Sequence, residues 1–424
     1  MQRQIRSGVT LEIIPTQQFK TTRIMISFLR ELTDRRELAM RTLLANLLEI
    51  SSKPYNTQKK VAEKLAKLYG ASFGTTVSRR GRIHSLNFVL NVVDSKYLLN
   101  PEDILEEAFS FLEAMICEPL VDENGFEKIT FERQKENLEM YIKAAKDDKR
   151  SYAASKVAEL YFDDPLQGVP NYGTSEDLET ITSEELYAYY LEMLQNDQIQ
   201  IFISGDMLQD EVIRLAEKMP FKERKVSLGE LAYTQPIRED VFHEVERKNL
   251  NQSKLDLVYR LPVIYRQPDH YAAVIFNALL GGTPQSKLFV NVREKESLAY
   301  YASSSFDPFR QYLLIQTGIK ASDKEKAMTL IKKQVKDIQA GEFSLEEFEE
   351  IKLNLINSYE SRLDSQMTAI IRRQLDLTCQ VEETQEAWVK KIKSVSKRDV
   401  QKIAKEARLQ AVFFLDGGIP NGDQ

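Results

Sequence analysis

"TTRIMISFLRELTDRRELAMRTLLANLL" (residues 21–48) and "SKLDLVYRLPVIYRQPDHYAAVIFNALL" (residues 253–280) stand in opposite halves of the chain and follow one pattern. In each, apolar residues alternating with polar ones give way to a polar turn. A helix-period segment follows, and its last apolar turn reads "LLANLL" or "IFNALL". Strict alternation sends successive side chains to opposite faces of a strand, whereas apolar residues three and four apart line one face of a helix. A self-similar stretch of this length points to a duplicated structural unit.

The repetition extends outward in chain order. "FERQKENLEMYIKAA" (131–145) has a counterpart in "FEEIKLNLINSYESR" (348–362), and "TITSEELYAYYLEML" (180–194) in "SVSKRDVQKIAKEA" (394–407). Ser183 and Ser396, each leading a charged first turn, fit helix starts. Each half closes on a β-rich strand, "IQIFISGD" (199–206) or "QAVFFLDG" (410–417). The expected fold class is therefore α+β, with two homologous domains, each a mostly antiparallel sheet with helices packed on one face. The expected boundaries are 1–221 and 241–424, joined by a linker over 222–240 that contains Gly229 and Pro236.

A chain of 424 residues accommodates such a division, since domains usually hold roughly 100–200 residues. Hydrophobic residues make up 42% and charged residues 29%, enough for substantial cores. The net charge of −6, with acidic and basic residues interleaved, gives no electrostatic case for nucleic acid. "SRRGR" (78–82) reads more simply as a hairpin end. Cys117 and Cys379 are too few for a disulfide framework or a thiolate zinc site. The beginning lacks a signal-peptide pattern and no long apolar run suits a membrane span, so a cytoplasmic location is expected.

The usual catalytic patterns are missing. His84, His243 and His270 lie far apart, without other metal-capable residues at helical ligand spacing. His84 falls on an alternating strand, suited to a surface or hydrogen-bonded role, and His270 falls near a helix start, where exposure is expected. Gly281-Gly282 lacks the rest of a phosphate-binding loop and fits a helix end with a turn.

"GGTPQSKLFVNVREKESLAYYASSSF" (281–306) resembles a motif of the insulinase/pitrilysin family of zinc peptidases, which includes the mitochondrial processing peptidases. The matching residues are Gly281-Gly282, Arg293-Glu294-Lys295 and Leu298-Ala299-Tyr300, and "PNYGTSEDLETITSEELYAYY" (170–190) resembles the family's Gly-Thr-x-Glu segment. One local departure is Glu296-Ser297, where Arg-Gly is common. The resemblance covers nearly the whole chain.

Active members carry H-x-x-E-H on the first-domain helix: two imidazoles one turn apart hold zinc, and the glutamate acts as general base toward its water. Here "RTLLANLLEI" (41–50) puts Thr42 and Asn46 at the histidine positions and Ala45 at the glutamate. The third ligand position falls on Tyr141, or on Glu136 in another register. This donor set does not hold catalytic zinc, and the chain alone is expected to be inactive. Arg293 and Tyr300 are retained; the resemblance implies that they hold the substrate backbone and stabilise the developing oxyanion. From residue types alone, a helix-surface ion pair for Arg293 and an edge-filling role for Tyr300 remain open.

The low Pro and Gly content and the lack of a basic tail resemble the Gram-positive members of the family, which occur as pairs with and without the zinc motif. Some are associated with elongation factor P modification and others with peptide-antibiotic maturation. The expected partner is a homologous H-x-x-E-H subunit bearing the zinc, and the expected substrate a peptide, with no cofactor in this chain and no membrane or nucleic-acid partner. A homodimer would contain no zinc site. The alternatives are a peptide-binding chaperone or scaffold without proteolytic role and, more distantly, an independent enzyme.

Overall fold

The computed structural model describes residues 1–98, 103–123, 125–225 and 228–418, so linker residues 226 and 227 lie outside the described residues. Two compact units emerge. The first comprises residues 1–143, 170–231 and 363–380; the second comprises 144–169, 232–362 and 381–424.

The first unit is built on a six-stranded sheet of β1 (Gln2–Arg6), β2 (Val9–Pro15), β3 (Thr21–Glu31), β4 (Ser72–Arg80), β5 (Ile83–Val93) and β6 (Gln198–Gly205). Its order is β1-β2-β6-β3-β5-β4, antiparallel except for the parallel β2–β6 pair. Ile24, Ile26 and Phe28 of β3 point to one face and pack with Leu43, Leu44 and Leu47 of the helix Arg36–Ile50 and with Phe111 and Leu112 of the helix Ile104–Cys117. Each such aliphatic or aromatic side chain contributes about 1.5–3 kcal/mol when withdrawn from water.

The second unit repeats the plan. Its strands are β7 (Phe242–Arg247), β8 (Ser253–Arg260), β9 (Ala299–Asp307), β10 (Tyr312–Ile319) and β11 (Arg408–Asp416). The order β7-β11-β8-β10-β9 matches β2-β6-β3-β5-β4 strand for strand, including the parallel first pair. Leu255 and Leu257 of β8 pack with Phe276 of the helix His270–Asn277 and with Ile331 of the helix Lys324–Ala340. The two α+β units thus share one topology, with the main helix layer on one face of each sheet.

A single helix covers part of the opposite face in each unit. Lys149–Tyr161 follows the long helix Lys128–Ala145 in the chain, and Gln366–Cys379 follows the equivalent helix Leu345–Ser361. Each belongs to the unit built mainly from the other half of the sequence. Chain order alone, dividing at 222–240, assigns them the opposite way.

The two dockings differ chemically. Ala153, Val157 and Tyr161 bury against Val258, Leu314, Phe413 and Leu415. Gln366–Cys379 is held mostly by polar groups: Gln374 Nε2 donates to Ser27 Oγ at 3.0 Å, Gln366 Nε2 donates to the carbonyl oxygens of Thr21 at 2.7 Å and Ser204 at 3.0 Å, and Arg373 Nε donates to Glu12 Oε1 at 3.0 Å. Ile370 adds a small apolar contact with Met25 and Phe202.

Ser396 caps its helix as expected, in a reciprocal pair with Asp399. At the equivalent start the cap is Thr182, whose hydroxyl accepts from the Glu185 N–H at 3.2 Å, so Ser183 is already helical. Among the described residues no helix is long and apolar enough to cross a membrane.

Candidate functional site

The helix Arg36–Ile50 carries Thr42, Ala45 and Asn46, the residues that the resemblance sets against the inverted zinc motif. Thr42 is buried, and its hydroxyl donates to the Leu38 carbonyl one turn back at 2.9 Å. That bond ties the side chain to its own helix. The buried Ala45 presents only a methyl group, and Asn46 is half-buried. Loop 170–174 closes against this helix: a Cβ on Gly173, which has φ +79°, would come within 2.7 Å of the Ala39 backbone nitrogen. Glycine alone permits both that approach and that dihedral.

Tyr141, on the helix Lys128–Ala145, is 57% exposed and meets the Tyr172 ring edge-on at 5.2 Å. Since Asn171 adjoins Thr42 through its carbonyl at 3.5 Å, the fold brings Thr42 and Tyr141 to the same loop. Glu136, the alternative third ligand, is solvent-exposed on that helix. A threonine hydroxyl committed to the backbone, a methyl group, an amide and a phenol are not a zinc donor set, and one carboxylate does not make them one. Among the described residues no group of three or more His, Cys, Asp or Glu side chains could hold a metal.

Sequence reasoning missed what lies beneath this helix. Arg41, adjacent to Thr42, is wholly buried. Its guanidinium donates to Asp197 Oδ2 at 2.6 Å, to the Phe28 carbonyl at 2.8 Å and to His84 Nδ1 at 3.0 Å. The last bond assigns the His84 proton to Nε2. Burial, then the charge of Arg41, push the His84 imidazole well below its ordinary range, so it is neutral. Tyr189 donates to Glu37 at 2.8 Å and extends the network. His84 is therefore hydrogen-bonded and not on the surface. His270 departs from expectation, since it opens its helix but is 6% exposed, with burial pushing it down to about 4. Tyr265 and Tyr271 pack edge-on around its ring and exclude water.

In the second unit, Arg293 and Tyr300 flank a sharp reversal. Residues Leu288–Lys295 form a π-helical segment, a wide-turn geometry that recurs at functional sites. The segment ends with Ser297 at φ +50° and the Leu298 N–H donating to the Val292 carbonyl at 3.1 Å. This is the left-handed helix stop at which glycine is the usual residue. It gives a physical reason why glycine is common there in the resembling family and why Ser297 is strained.

Past the stop, Tyr300 enters β9, the edge strand, at an irregularity in the β9–β10 register, and is 61% exposed. Arg293 is exposed, with its guanidinium 4.5 Å from the Phe289 ring centre. Among the described residues Arg293 forms no ion pair, so the helix-surface salt bridge does not account for it. Two strands away, on β8, Asp256 is fully buried, accepts from Gln316 Nε2 at 3.1 Å, and is pushed up to about 7 by burial.

Comparison with known proteins accords with this geometry. The family described as "Peptidase M16 inactive domain" matches residues 180–355. "Probable inactive metalloprotease YmfF" of Bacillus subtilis (strain 168) is 29% identical over 412 residues, spanning 97% of this chain and 96% of that protein. The crystal structure of a conserved protein from Enterococcus faecalis V583 matches with a TM-score of 0.95 and 39% identity, over 100% of this chain and 99% of that one. A peptidase M16 inactive domain from Pseudomonas fluorescens shares the fold, with a TM-score of 0.78 at 14% identity over 100% of this chain and 99% of that one. The chain belongs to the insulinase (M16) family of peptidases, among its inactive, peptidase-like members.

Proposed function

We propose that this chain is the substrate-holding, noncatalytic subunit of a two-chain zinc metallopeptidase that cleaves peptides in an enclosed chamber. The observation that carries the proposal is a contrast within the chain. The positions that would bind zinc are turned to internal packing or carry no metal donor, whereas Arg293 and Tyr300 are exposed and, among the described residues, form no ion pair. Exposed side chains on a strained, π-helical reversal are poorly explained by packing alone.

In this reading a homologous H-x-x-E-H subunit supplies zinc, the general base and the bond-breaking chemistry. Arg293 supplies a guanidinium and Tyr300 a phenolic hydroxyl, which hold the peptide backbone and stabilise the oxyanion as it develops. A second copy of this chain cannot substitute for that partner, since it would bring the same Thr42, Ala45 and Asn46. The pair would work in the cytoplasm.

The test is peptide cleavage by this chain mixed with an H-x-x-E-H homologue encoded beside it, against each protein alone. Cleavage by the mixture only, slowed by Arg293→Ala or Tyr300→Phe in this chain, supports the reading. A homologue equally active alone refutes it and leaves a peptide-binding chaperone or scaffold as the better account.

A further inference from the structure

We propose that Tyr301 is a positioning residue for Tyr300: its ring, gripped between Gly318 and Arg150, locks the β-bulge that presents Tyr300 to solvent. This rests on the peptide-holding reading above and adds to it the device that sets the geometry of that site.

In the β9–β10 ladder Tyr301 pairs with Gly318 and Ala299 pairs with Ile319, so two steps along β9 match one along β10 and Tyr300 is the extra residue. A bulge of this kind leaves its extra residue without a ladder partner and re-aims the side chain. β9 ends its sheet, and among the described residues no strand pairs with its outer side. The direction of Tyr300 is therefore inherited from the residues beside it in the chain.

Tyr301 is held from several sides. The Arg150 guanidinium, from the first turn of the helix Lys149–Tyr161, lies 4.7 Å from its ring centre, and the Lys254 ammonium lies 5.3 Å away. Both are within reach of cation–π attraction. Arg150 is itself fixed: Nη2 donates to Ser303 Oγ at 3.0 Å, Nε donates to Gln316 Oε1 at 3.3 Å, and Gln316 Nε2 donates to the Arg150 carbonyl at 3.3 Å. Across the ladder, a Cβ on Gly318 would lie 2.5 Å from Cε1 of the ring, well inside carbon–carbon contact distance. Glycine at this point lets the ring lie against the β10 backbone. The Tyr301 hydroxyl is buried and, among the described residues, has no hydrogen-bond partner, so the grip is on the ring.

The test is peptide cleavage by the full-length chain mixed with the H-x-x-E-H homologue. Arg150→Ala and Tyr301→Leu are each expected to lower kcat on the order of tenfold, as misplacement of a group at the reacting centre does, with KM little changed. Arg150 is exposed, so its replacement tests the grip without threatening the fold. Tyr301→Phe, which keeps the ring, should restore the turnover that Tyr301→Leu loses. In a Tyr300→Phe background Arg150→Ala should cost little more, because both changes then act on one group. If Tyr300→Phe slows cleavage while Arg150→Ala and Tyr301→Leu do not, this proposal is overturned and the peptide-holding reading stands. Full additivity of Arg150→Ala with Tyr300→Phe, or a Tyr301→Phe chain as slow as Tyr301→Leu, overturns it as well. A mixture that does not cleave, or is indifferent to Tyr300→Phe, removes the reading and this proposal together.

Discussion

Arg41 Nη1 donates to Asp197 Oδ2 at 2.6 Å, with both side chains closed off from solvent. Burial pushes the Asp197 carboxyl above its ordinary range, and Arg41 opposes that push from hydrogen-bond distance. Removing one partner strands the other charge in the core. Asp197→Ala should therefore destabilise the chain by about 3–5 kcal/mol, whereas Arg41→Met combined with Asp197→Leu should recover much of the loss. Urea denaturation of the two variants checks this.

Asp256 predicts a pH dependence. Its folded value of about 7 lies above that of an unfolded aspartate, near 3.9, because burial disfavours the anion. Between these values the folded state holds a proton that the unfolded state has lost. Stability should then be highest near the unfolded value and fall as pH rises toward 7, by roughly 1.4 kcal/mol per unit from this group alone. Gln316 Nε2, which donates to Asp256, and the charges of Arg150 and Lys254 moderate the rise. Asp256→Asn should flatten this segment of the stability–pH curve; an unchanged slope would show that Asp256 is ionised in the folded chain.

Ser297 occupies a left-handed stop without the freedom of glycine. Ser297→Gly should raise stability by up to about 1 kcal/mol, and Ser297→Val should lower it, because branching at Cβ worsens the same clash. Thermal melts of the three chains settle the order.

Arg293→Ala and Tyr300→Phe should leave the chain's own stability within about 0.5 kcal/mol, since both side chains are exposed. Their effect should appear in turnover by the mixture with the zinc-bearing homologue, with kcat falling on the order of 10²-fold if they stabilise the oxyanion. A loss confined to the folding midpoint would instead mark them as structural.

The helices Lys149–Tyr161 and Gln366–Cys379 should differ in amide exchange. The first is sealed by Val157 and Tyr161 against Phe413 and Leu415, while the second rests on Gln366, Arg373 and Gln374. Polar contacts lose less by hydration than apolar burial does, so Gln366–Cys379 should exchange faster. Equal protection would mean that its hydrogen-bond network is as cohesive as a packed core.

The duplicated α+β plan was legible in the chain, because alternation in 21–31 and 253–260 and the helix period that follows each are local properties of consecutive residues. The unsuitability of Thr42, Ala45 and Asn46 for zinc was legible for a similar reason: donor chemistry belongs to the residue type. Arg41 was not legible as a core residue. An arginine is rarely buried without a partner, and its partner Asp197 is distant in sequence. Nor could the sequence choose which sheet receives Lys149–Tyr161 and which receives Gln366–Cys379. Periodicity specifies that a helix has a face to bury, but the surface that buries it is selected by complementarity between segments far apart in the chain, and that selection is made only in the tertiary structure.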